Sequence, residues 1–79
     1  MDKIIHRNTK FGDLEAITLD ELNLLLENKK NGFMSVHNEK MPFNREYLEV
    51  LKINKDYITS KDERKFSYNC EIGFYFKKV

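Results

Sequence analysis

At 79 residues, 41% hydrophobic and 34% charged with a formal net charge of +1, the chain is one small domain with apolar residues for a single core. That balance excludes wholesale disorder, which needs low hydrophobicity and high net charge. A single cysteine, Cys70, rules out an intramolecular disulfide; with no run near the ~20 apolar residues of a membrane span, a cytoplasmic protein without membrane contact is expected.

In chain order, residues 3–7 suit a short first strand, and residues 8–13 read as a loop with Gly12–Asp13 as its turn signal. The strongest local signal is ITLDELNLLLENKKNG. Thr18 and Glu21 have capping-box spacing, and Ile17 and Leu22 stand at hydrophobic-staple positions. Asp20 and Glu21 sit in the first turn, with Lys29 and Lys30 in the last, as the helix dipole prefers. The spacing predicts a helix over 19–30, stopped at Asn31–Gly32, with Leu19, Leu22, Leu25 and Leu26 as its buried stripe.

Residues 32–38 suit a strand, turned by Asn38–Lys40 and interrupted by Pro42. Asn44 caps a second predicted helix over 45–54, although its Tyr, Val and Ile content also fits a strand. A strand is expected at 56–59, then a loop at Ser60–Glu63. A long strand follows, in which Phe66, Tyr68, Cys70, Ile72, Phe74 and Phe76 occupy alternate positions and so share one face. Eleven extended residues reach roughly 36 Å, so Gly73 is the expected bend or bulge. The fold class predicted is α+β: a small antiparallel sheet of three to four strands with one or two helices packed on one face.

No constellation points to catalysis or a cofactor. His6, His37 and Cys70 lack the short paired spacings of a zinc site, and no phosphate loop, GxSxG or HExxH occurs. A non-enzymatic binding protein is therefore expected, acting as a regulator or inhibitor on a surface of a host macromolecule. Tyr75, with Asp13 and Glu15 from the acidic stretch, are the candidate contacts for a protein partner, since tyrosine is enriched at interfaces. The alternative is a DNA- or RNA-binding regulator. Residues 1–28 carry a net charge of −3 and residues 29–79 a net of +4, and Lys61, Arg64, Lys65, Lys77 and Lys78 flank the predicted final hairpin. Lysines at strand ends also discourage edge pairing. Homodimerisation through an exposed sheet edge or the tyrosine face is a further expectation. Eleven lysines and eight asparagines against three arginines and one alanine match the coding bias of a low-GC bacterium or phage.

Overall fold

β-branched and aromatic residues are spread along the chain outside 18–32. The computed structural model, which describes residues 4–37, 45–68 and 72–79, folds most of them into strands. The order is β1 (Ile5–Thr9), β2 (Gly12–Ile17), α1 (Leu19–Glu27), β3 (Phe33–His37), β4 (Arg45–Ile53), β5 (Tyr57–Ser60), β6 (Lys65–Ser67) and β7 (Ile72–Lys78). The strands form one seven-stranded sheet in the order β1-β2-β7-β3-β4-β5-β6, with every pairing antiparallel. This overturns the expected sheet of three to four strands with one or two helices: among the described residues there is one helix, and it is short. That helix is too short to cross a membrane, and no other among the described residues is long and apolar enough.

Three corrections explain the difference. Residues 45–53 are strand, because β4 lies between β3 and β5 and hydrogen-bonds to both. The pairing satisfies its backbone on two sides and suits Tyr47, Val50 and Ile53. Residues 12 and 13, expected as the end of a loop, and residues 14–17, given no element, form β2. The predicted strand through 66–76 is two strands: β6 at one edge of the sheet and β7 inside it, separated by β3, β4 and β5. Cys70, Pro42, Asn44 and the turn at 38–40 lie outside the described residues.

Helix α1 starts where its cap predicts. The Glu21 N–H donates to Thr18 Oγ1 at 3.2 Å, while the Thr18 hydroxyl donates to the Glu21 carboxylate at 3.4 Å. The helix ends at Glu27, earlier than residue 30, because Lys29 turns left-handed at φ 59, the usual helix-terminating conformation. Lys29 and Lys30 thus lie beyond the last turn. Leu22 is fully buried, and Leu24 faces solvent.

The sheet is strongly curled. Strands β1 and β4 are separated by β2, β7 and β3, which in a flat sheet sets them about 19 Å apart. Yet His6 Nδ1 on β1 lies 2.8 Å from the Tyr47 hydroxyl on β4. The curl encloses a core on the concave face, formed by Leu14, Phe33 and Phe76 with Phe11, Ala16, Tyr47 and Phe74 packed against them. The helix covers the opposite face, where Leu22, Met34, Val36, Leu48, Val50 and Ile58 form the second core.

Two β-bulges set which residue enters which core. Ser35 pairs with Phe74 and Val36 with Ile72, leaving Gly73 as the extra residue; the Phe74 N–H there donates to the buried Ser35 Oγ at 3.2 Å. The bulge falls where the sequence suggests, but it reverses the alternation. Ile72 packs on the helix-side core and Phe74 on the concave one, so the even-numbered residues do not share a face. On β4, Val50 pairs with Ser60 and Lys52 with Thr59, leaving Leu51 as the extra residue.

Candidate functional site

The residues expected to meet a protein partner are held by the fold itself. Asp13 accepts from the Asn8 N–H at 3.0 Å and pairs with Arg7 at 3.2 Å, bracing the β1–β2 hairpin. Glu15 lies 3.7 Å from the Lys77 ammonium across the β2–β7 pair. Tyr75, inside the sheet, packs against the helix-side core, and burial raises its phenol pKa. Register and alternation put all three on the helix-side face of β2 and β7, with Ile17 opposite Tyr75 and Glu15 opposite Lys77, but each is partly buried.

The basic candidates do not form one edge. Lys77 and Lys78 end β7, whereas Lys61, Arg64 and Lys65 belong to the β5–β6 turn and β6, beyond three intervening strands. Lys77 is occupied by Glu15. Arg64 lies on the helix side, with its guanidinium 5.3 Å from the Phe66 ring centroid. It binds the Glu46 carboxylate and, at 2.9 Å, Asp62. The hydrogen bond to Glu46 is the largest cause of its raised pKa. Asp62 in turn accepts from the Ser60 hydroxyl, the largest cause of its lowered pKa. These contacts close the turn.

What the fold does assemble is a lysine row on the face of β4–β6 turned away from the helix. The register sets Lys52, Thr59 and Lys65 side by side on three adjacent strands. Alternation places Tyr57 and Lys61 on the same face of β5 and its turn, opposite to Ile58, which is fully buried in the helix-side core. Lys52 and Lys65 are exposed, and among the described residues neither makes an ion pair. The Lys65 ammonium stands 5.0 Å from the centre of the Tyr57 ring. Between the two lysines Thr59 is only 5% exposed, and its hydroxyl oxygen has no hydrogen-bond partner among the described residues. The one acid that the described residues of these strands place on this face is Glu49, which Lys61 holds at 2.8 Å.

Beyond Lys61 the row runs into a hollow of about 210 Å³ where the β1–β2 turn approaches β4 and β5. Lys10 and Phe11 wall it on one side, Glu49, Ser60 and Lys61 on the other. The Lys10 ammonium lies 5.1 Å from the Phe11 ring centre, adding another cation to this side of the molecule. Among the described residues no group of three His, Cys, Asp or Glu side chains is placed to hold a metal ion.

The chain matches no protein-family model, no curated protein and no solved structure. Lys65 and Lys61 are the two sequence-predicted residues that the lysine face retains. Lys52, Thr59 and Tyr57 are absent from the sequence-predicted nucleic-acid contacts because reading 45–54 as a helix gives Lys52 no strand partner. The signal that finds them is the strand alternative for that segment, paired against 57–60.

Proposed function

We propose that this protein is a non-enzymatic binding protein that occupies the surface of an anionic macromolecule through the face of β4–β6 turned away from the helix. The observation that carries this reading is the Lys52–Thr59–Lys65 row: two cations without ion-pair partners among the described residues, flanking one buried and unsatisfied hydroxyl. Two cations without ion-pair partners attract a counter-charge, and burying a hydroxyl without a partner is costly. A polyanion laid across the row meets both needs. Asp13, Glu15 and Tyr75, the candidates for a protein partner, already have structural duties, which lowers the weight of that alternative.

The test is retention of the purified protein on long-chain polyphosphate and on duplex DNA over a salt series. Affinity should fall steeply as salt rises, because each neutralised phosphate releases counterions. Lys52→Gln with Lys65→Gln should weaken retention and flatten the salt slope, leaving the melting temperature nearly unchanged. Changing Lys77 and Lys78 in the same way should do much less. Equal effects from the two pairs would sink the assignment to this face.

A further inference from the structure

We infer that the nucleic acid this face takes is single-stranded, with a backbone phosphate over Thr59 between Lys52 and Lys65 and a neighbouring base on the Tyr57 ring. The inference rests on the lysine-face reading above and adds to it the ligand class and the order of contacts.

Three features of the face carry it. The first is Thr59. Its hydroxyl is buried without a partner among the described residues, directly between two lysines that the register holds one strand away on each side. Strands lie about 4.8 Å apart, so a phosphate centred over Thr59 is within reach of both ammonium groups. A phosphate oxygen brought to this position can accept from the Thr59 hydroxyl. The bond missing in the free protein is thereby made in the complex.

The second feature is Tyr57. Two residues before Thr59 on the same strand face, it lies about 6.6 Å from it along β5. Its ring carries the Lys65 ammonium at 5.0 Å, so the ring face is open to a cation rather than packed into the core. As Lys65 turns to the phosphate it vacates that face for a base. Bases in a duplex are already stacked on one another and gain nothing from a protein ring; the bases of a single strand gain substantially.

The third is what flanks the row. Leu51 is 48% exposed beside Lys52, and alternation from the buried Val50 places it on the same face. It offers an apolar contact to a sugar or base without sequence preference. Two of the acids near the strip are committed elsewhere, Glu49 to Lys61 and Asp62 to Ser60 and Arg64, while Asp56 precedes Tyr57 at the start of β5. Phosphate thus meets lysine without an intervening free carboxylate from Glu49 or Asp62.

The experiment is fluorescence anisotropy with a labelled oligothymidylate, a duplex of equal length and long-chain polyphosphate, at fixed physiological salt. Single strand should bind tightest. Tyr57→Ala should weaken it by about 5- to 100-fold, the equivalent of one stacked base, and Tyr57→Phe should retain most of the affinity. Thr59→Val keeps the shape of the side chain and removes the hydroxyl. It should weaken single-strand binding while leaving the melting temperature unchanged or higher, a pair of effects that simple loss of folding cannot produce. If duplex binds as well as single strand, or if Tyr57→Ala and Thr59→Val bind like the parent, the inference is overturned. The lysine-face reading then still stands provided that polyphosphate or duplex binding depends on Lys52 and Lys65. If none of the three probes binds, both fall together.

Discussion

Gly32 is the position where one added carbon tests the packing of the helix on the sheet. A Cβ built there lies 2.2 Å from Leu22 Cδ1, against about 3.5–4.0 Å for an ordinary carbon contact. Neither side yields easily. Leu22 is fully buried, and the Gly32 carbonyl accepts from the Val50 N–H at 2.8 Å, which fixes the backbone. Overpacking of this kind costs about 1–3 kcal/mol. The φ of Gly32 lies outside the left-handed region, so alanine is conformationally acceptable and recovers about 0.4–1 kcal/mol by restricting the unfolded chain. Taking the middle of each range, the net loss for Gly32→Ala is about 1.3 kcal/mol. With a urea slope of about 1 kcal/mol per molar for so small a protein, the midpoint should fall by about 1.3 M. The decisive measurement is a double-mutant cycle with Leu22→Val, which has no Cδ atom to strike. In that background Gly32→Ala should be neutral or better, giving a coupling of at least about 1 kcal/mol. Additivity within about 0.5 kcal/mol would refute the contact and, with it, the seating of α1 described above.

Phe76→Ala should cost about 3–5 kcal/mol, since Phe76 is fully buried with the His6 ring 4.8 Å away. In urea denaturation Phe74 and Phe76 substitutions should couple, whereas Ile72→Val and Phe74→Leu should add independently; coupling of the latter pair would mean that the Gly73 bulge does not separate two cores. Burial raises the phenol pKa of Tyr68 and Tyr75 above the usual 10.0. The folded form therefore holds their protons longer than the unfolded chain, and the stability they contribute is complete below pH 10.0 and lost as pH rises through their folded values. Tyrosinate absorbance should show these residues lagging until the protein unfolds, and simultaneous titration of all four tyrosines near 10 would contradict their burial.

The elements legible in the sequence are those whose cause is local. Thr18 and Glu21 announce α1, and their hydrogen bonds are made. Residues 32–38 announce β3, and Ser60–Glu63 announce the turn between β5 and β6. What was not legible depends on partners distant in the chain. Residues 45–53 place Leu48 and Leu51 at a helical spacing and Leu48 and Val50 at a strand spacing, so periodicity cannot choose. The choice falls to β3 and β5, which pair with the two sides of β4. Likewise, the alternation from Phe66 to Phe76 looks like one strand because Phe66 and Tyr68 continue in phase with Ile72. Their packing on one core reflects a chain that leaves the sheet edge and re-enters its interior.

The bulges connect this illegibility to the candidate site. In strict alternation from Leu48 and Val50, Lys52 would point into the helix-side core and Ile53 out of it. Burying a lysine cation there is prohibitive without a partner, and exposing Ile53 forfeits apolar burial. The extra residue at Leu51 reverses both: Ile53 packs on the core, and Lys52 comes out opposite Thr59. The same arithmetic operates at Gly73, which sends Ile72 to one core and Phe74 to the other. A strand that must serve a curled sheet with a core on each face cannot keep one phase along its length. The hydrophobic requirement at Ile53 thus fixes the position of Lys52, and the lysine row follows from the packing of the core beneath it. Binding at that face would then need no separate structural element, only side chains on the solvent side of strands whose other side already holds the fold together.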